Sequence, residues 1–338
     1  MTGAVYTQTN ESENAVVAFR RAMDGTLDRI GVFPTGGKGD AVPHLTSQGS
    51  VVLTGDGRHL LVANAGSDEV SVFAIDRDGT PSMIQTIAVG SAPKSIAERD
   101  GLVYVLSTGK PALNGFRIGS AGLEPLIGSE RALSTGDADP AQLGFTQDGR
   151  TLIATERGTD SIVAYSVDAD GLLGEPKVSP SSGPTPYGFA ISGNGTLVVT
   201  EAFRAEKGAA AASSYSVMGD AVSPITASVG NGRSEICWAV ITPDDRFAFT
   251  TNFADGAVSR YAIGMDGTLT LEDAIAGVSV DGRSGLRDED LTDDGRYLYA
   301  IDADGGRIYG WAVGESGSLE PVGSWEGVPS TVAGLAAS

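Results

Sequence analysis

Residues 56–79 carry the decisive pattern: Asp56-Gly57-Arg58, then His59-Leu60-Leu61-Val62-Ala63-Asn64, a short loop Ala65-Gly66-Ser67-Asp68, then Glu69-Val70-Ser71-Val72-Phe73-Ala74-Ile75, and finally Asp78-Gly79. The two apolar runs have strand length and are rich in β-branched residues. Asp-Gly pairs supply positive φ at low cost and are the strongest short hairpin signal. The phrase therefore reads as turn, strand, loop, strand, turn.

Working outward, the phrase recurs along the whole chain. The first turn returns as Asp100-Gly101, Asp148-Gly149-Arg150, Asn194-Gly195, Asp244-Asp245-Arg246 and Asp294-Gly295-Arg296. The second turn starts at residues 24, 78, 121, 170, 219, 266 and 316, in steps of 54, 43, 49, 49, 47 and 50. No stretch shows a convincing 3.6-residue period. A period near 48 with four strands per unit predicts an all-β, seven-bladed β-propeller with four antiparallel strands per blade. The N-terminus begins at a second-strand sequence, Ala4 to Asn10, and the C-terminus finishes with one lone strand, Ser330 to Ala336. The C-terminal strand is therefore expected to join the N-terminal blade and close the ring, which removes exposed sheet edges. Residues 1–338 then form a single domain.

Composition narrows the function. The 338 residues carry a formal charge of −20, one Cys and two His. That charge argues against nucleic acid, whose phosphates demand Lys and Arg. One Cys excludes an internal disulfide and a Cys-based zinc cluster. No apolar run is long enough to span a bilayer, and the N-terminus lacks the basic and apolar regions of a signal peptide. The compartment stays open: cytoplasmic, or periplasmic or secreted after removal of a leader. A monomer acting on a small molecule is expected.

In a propeller the innermost strands line a central channel, and the loops at one end form its mouth. The position that ends each second strand reads Asn10, Asn64, Ser107, Glu156, Glu201, Asn252 and Asp302. It follows the turn arginine by six residues at 58–64, 150–156, 246–252 and 296–302. Pseudosymmetry predicts a polar ring. Asn, Ser and Asp also end strands as turn caps; Glu does not, so Glu156 and Glu201 are the candidate acid and base. Arg157 and Arg204 follow them and are candidates for holding an anion, since guanidinium binds carboxylate or phosphate bidentately. A surface ion pair is the alternative for both.

The starts of the innermost strands supply a second set: Gln48, Lys94, Gln142, Tyr187, Trp238 and Arg287-Asp288-Glu289-Asp290. Amides, aromatics and a few charges suit a small polar ligand, although Tyr187 and Trp238 equally suit packing between blades. Asn64 and Asn252 are further ligand-binding candidates. His44, in the first connection between blades, is a candidate general base. Cys237 reads as a small core residue, and Gly36-Gly37-Lys38-Gly39 lacks the context of a P-loop. The long Ala-rich stretch after Glu201, residues 203–213, is expected to be a mobile lid.

Several phrases give the chain a family likeness: Asn64-Ala65-Gly66-Ser67 through Val70-Ser71-Val72-Phe73, Gly144-Phe145-Thr146-Gln147-Asp148-Gly149-Arg150, Pro186-Tyr187-Gly188-Phe189-Ala190 and Cys237-Trp238-Ala239-Val240-Ile241-Thr242-Pro243-Asp244. With these it resembles the seven-bladed propeller lactonases, which include 6-phosphogluconolactonase and carboxymuconate cyclase relatives. The resemblance implies a lactone hydrolase or a cyclase with no cofactor, using a His, Arg and Glu set that two His cannot supply securely. Two alternatives accompany it. One is a divalent-metal lactonase, with Ca²⁺ or another divalent cation held in the central channel by Asn64, Glu156, Glu201, Asn252 and Asp302. The other is a non-catalytic ligand-binding or scaffold propeller.

Overall fold

The structure is a computed structural model that describes residues 3–43, 45–280 and 283–338. Seven antiparallel sheets form a ring of blades, and among the described residues there is no α-helix. The second blade is typical: Val51–Leu53 innermost, then His59–Asn64, Glu69–Ile75 and Pro81–Ala88 outermost. In blade 3 the outer strand is split into Gly122–Pro125 and Arg131–Ala132, both paired with Ala112–Gly119. The ring closes as the ends of the sequence predict. Ala333–Ala337 lies antiparallel to Gly3–Gln8, with Tyr6 opposite Ala336, and becomes the innermost strand of blade 1.

The turn motif has a local cause. Thr54, Thr146, Thr242 and Thr292 each precede the turn aspartate by two residues and donate a hydroxyl bond to Asp56, Asp148, Asp244 and Asp294 at 2.6–2.7 Å. The same hydroxyls accept the amides of His59, Thr151, Phe247 and Tyr297, the first residues back in the second strand. Each threonine thus fixes both ends of its turn. The position after the aspartate has positive φ, 69° at Gly57 and 61° at Asp245, which explains why only Gly or Asp occupies it.

Each blade boundary has its own apolar cluster. Val5, Val17 and Phe19 of blade 1 pack on Tyr299, Ile301 and Ile308 of blade 7, and the other six boundaries repeat the arrangement. The core is therefore distributed around the ring, and the axis is left for polar groups. One expectation needs correction. The Ala-rich stretch after Glu201 is a loop only as far as residue 210: Ala211–Met218 is a strand, and Ala210 and Ala212 are buried against blade 6. Small side chains are what that tight boundary requires.

Candidate functional site

Irregular pairing at one end of the innermost strands builds the mouth. The register between first and second strands shifts at Pro93/Ser95, Pro140/Gln142, Pro186/Phe189, Ile236/Trp238 and Leu286/Glu289. The residues left out of the ladder are Lys94, Ala141, Tyr187 with Gly188, Cys237, and Arg287 with Asp288. A bulge re-aims side chains, and here five consecutive blades carry one at the same end of the innermost strand.

There the predicted residues Lys94, Arg157, Tyr187, Trp238 and Arg287 come together. The Arg157 guanidinium lies 5.0 Å over the Tyr187 ring, whose centroid is 5.6 Å from that of Trp238. Arg287 lies 5.0 Å over Phe253. The connection from blade 1 to blade 2 covers them. Thr46 Oγ1 accepts from Lys94 Nζ at 3.5 Å and from Arg157 Nη2 at 3.3 Å, and the Pro43 carbonyl accepts from Arg287. Arg157 also pairs with Asp139 at 2.6 Å. Among the described residues neither Lys94 nor Arg287 makes an ion pair, although Arg287 is only 3% exposed. Burial pulls both below their usual basicity, with nearby Asp40 opposing the effect at Lys94 and Asp288 opposing it at Arg287. Burial pushes the Tyr187 hydroxyl and the Cys237 thiol well up, so both stay protonated. The Tyr187 hydroxyl has no hydrogen-bond partner among the described residues.

Beneath this layer the channel is sealed by amides. Gln48 of blade 2 reaches across to blade 6, giving Nε2 to the Ala239 carbonyl at 2.8 Å and accepting the Ala239 amide at 3.1 Å. Gln142 does the same with Phe189, at 3.0 and 2.6 Å. Trp238 Nε1 donates to the Ser47 carbonyl at 3.1 Å. Gln142 and Trp238 thus form the floor of the mouth, with their polar atoms in use.

The polar ring at the ends of the second strands exists, one strand out from the channel. Ser107, Glu156, Glu201, Asn252 and Asp302 pair with Pro93, Pro140, Pro186, Ile236 and Leu286, and all are buried. Except at Ser107, whose hydroxyl has no partner among the described residues, their side chains fasten neighbouring loops. Glu156 accepts from the Ser134 amide at 2.9 Å and from Thr159 Oγ1 at 2.8 Å. Glu201 accepts from the Gly183 amide at 2.8 Å, Ser213 Oγ at 2.5 Å and Ser228 Oγ at 2.7 Å. Asn64 takes Thr35 Oγ1 at 2.8 Å, and Asn252 takes Asn231 Nδ2 at 2.8 Å. These five-blade clasps do not converge on a shared point: Asn64, Glu156, Glu201, Asn252 and Asp302 each belong to a different blade boundary. Among the described residues no group of three acidic, His or Cys side chains is placed to hold a metal. Asn10 instead lies past its strand and exchanges hydrogen bonds with Asp40. Arg204 is exposed in a 3-10 turn, paired with Asp160 at 2.5 Å. His44 lies outside the described residues.

Thr46, Phe253 and Asp139 belong to the mouth without having been singled out from sequence. Thr46 and Asp139 sit just before innermost strands, so proximity to the bulge was the available signal. Phe253 follows the ring position Asn252 by one residue, and only its 3-10 turn, Phe253–Asp255, aims it inward.

The fold and mouth together define a seven-bladed propeller with cationic side chains gathered at one end of its axis. The family described as "Lactonase, 7-bladed beta-propeller" matches residues 3–117 and 126–207, and the chain belongs to it. No curated protein matches it. Among solved structures it is similar to the periplasmic gluconolactonase of Pseudomonas aeruginosa, with 16% identity, TM-score 0.76 and coverage of 100% of this chain and 99% of that one. It is similar to a candidate 6-phosphogluconolactonase from Bacteroides fragilis at 18% identity and TM-score 0.73, covering 100% and 98%. A protein from Lactobacillus plantarum aligns at 17% identity and TM-score 0.76, covering all of both chains. At these identities the likeness is one of fold.

Proposed function

We propose that the protein hydrolyses a small lactone that carries a carboxylate or phosphate, bound in the mouth formed by Lys94, Arg157 and Arg287. One observation carries this reading. In a chain of net charge −20, Arg287 is buried and Lys94 half-buried, neither makes an ion pair among the described residues, and their hydrogen bonds go to the neutral acceptors Pro43 and Thr46. A buried cation bonded to a neutral acceptor is a poor end state. An anion displacing those loop contacts completes the site. Membership of the lactonase family and the gluconolactonase named among the similar folds support the choice of reaction.

In this reading Arg157 and Tyr187 orient the ring and its anionic group. Arg287 stabilises the oxyanion that forms as water attacks the carbonyl. The proton of that water needs a base. Tyr187 and Cys237 are held protonated and Asp139 is engaged by Arg157. Lys94 serves as the cation that meets the anion, and His44 is the candidate base read from sequence alone. Glu156 and Glu201, with their oxygens occupied, act as clasps. No divalent ion is required.

The test is a panel of lactones in anionic and neutral pairs, assayed with wild type, Arg287→Ala and Lys94→Ala after exhaustive chelation. Hydrolysis of the anionic members, with kcat/KM lowered about a hundredfold in Arg287→Ala, supports the proposal. Equal turnover of the neutral members, or full activity in Arg287→Ala, overturns it.

A further inference from the structure

Below the amide plug the axis opens again, toward the opposite face. A cavity of about 310 Å³ lies there, bounded by Gln48 and Gln142 above and running past Asp288 and Asp290 to Gly55 and Asp293 at the turns. Glu289 and Thr54 also line it, and the rest of its walls are largely aliphatic, among them Val51, Leu143 and Leu335. Both plug amides are closed on backbone partners, Gln48 on Ala239 and Gln142 on Phe189. Asp290 is satisfied by the amides of Ala337 and Leu291, each at 2.9 Å. Asp288 and Glu289 differ. Each is 3% exposed and lines the cavity, and Asp288 Oδ2 and both Glu289 carboxylate oxygens have no hydrogen-bond partner among the described residues. A buried carboxylate oxygen without a partner is costly and calls for a donor.

We propose that this lower chamber is a second ligand site, for a small organic cation: a primary ammonium on a short aliphatic body, with the ammonium donating to Asp288 Oδ2. Charge decides against the anionic ligand of the mouth. The aliphatic walls, and the lack of a three-ligand group among the described residues, decide against a bare metal ion. The body packs on Leu143 and Leu335, as apolar walls with a few placed polar groups require. The sealed plug makes this chamber separate from the mouth, so the site stands independently of the proposed hydrolysis.

The experiment is calorimetric titration of the whole chain with n-butylammonium, n-butanol and Mg²⁺, using wild type and the isosteric Asp288→Asn. Expected are saturable one-to-one binding of n-butylammonium, no saturable binding of n-butanol, and affinity about tenfold weaker in Asp288→Asn, the effect of one charged hydrogen bond. A crystal soaked with n-butylammonium should place the amine at Asp288, a result that stands even if the variant folds poorly. Absence of binding, binding indifferent to Asp288→Asn, or saturable binding of Mg²⁺ in place of the amine overturns the proposal.

Discussion

Gln48 and Ala239, on blades 2 and 6, hold each other across the propeller axis by a reciprocal pair of hydrogen bonds. This is a direct tie between distant parts of the ring that bypasses the intervening blades. Gln48→Leu keeps the bulk and strands the amide and carbonyl of Ala239. Each stranded group should cost about 1–3 kcal/mol, read as a drop in the midpoint of urea unfolding. An unchanged midpoint would show that water replaces the side chain.

Gly188 provides a sharper version of the same test. A Cβ there would lie 2.3 Å from both the Cys237 carbonyl oxygen and Gln48 Oε1. Backbone cannot yield, so Gly188→Ala should destabilise by about 1–3 kcal/mol and weaken the plug with it. Thermal unfolding of Gly188→Ala and Gln48→Leu, alone and combined, should give less than additive losses, because both break one contact.

Glu201 separates a clasp from an acid–base group. Glu201→Ala leaves the Gly183 amide and two serine hydroxyls without their acceptor and should cost about 2–5 kcal/mol. Turnover per folded molecule should stay within a few-fold of wild type, whereas loss of a proton-transfer group typically costs about a hundredfold or more. Activity at low temperature, normalised to folded fraction by circular dichroism, decides between them.

Stability should also fall as pH rises toward neutrality. Burial raises Asp288 and Asp290 to about 7, against 3.8 when unfolded. Between those values the folded state binds more protons than the unfolded one, so each unit of pH increase favours unfolding. The turn aspartates act in the opposite sense. At Asp148 the Thr146 hydroxyl and the Arg150 amide lower the pKa, and stability from it is lost on acidification below the usual carboxylate range. Melting temperature should therefore peak in mildly acidic solution and decline toward pH 8. Asp290→Asn should flatten that decline; an unchanged slope would assign it to general charge repulsion.

The fold was legible in the sequence because its determinants are local. Thr54-Gly55-Asp56-Gly57 specifies its turn within a few residues, and repetition multiplies the signal. The mouth was half legible. Lys94, Tyr187, Trp238 and Arg287 were found because inner-strand starts recur in register, yet the bulges that aim them depend on pairing across two strands. The same periodicity marked Glu156 and Glu201 as a ring, but it could not give the radius. Whether a repeated carboxylate faces the channel or the neighbouring blade is a property of the sheet's face, and only Ser134, Gly183 and Ser228, distant in sequence, reveal it.

The threonine-capped turns have one more consequence. Asp56, Asp148, Asp244 and Asp294 all sit where first strands pass to second strands, at the end of the propeller remote from the cationic mouth. Arg58, Arg150, Arg246 and Arg296 stand two residues after them, and Arg246 pairs with Asp244 at 2.7 Å, so each turn carries its own counter-charge. The turn face is thus charged yet close to neutral turn by turn, and a charged support gains little hold on it.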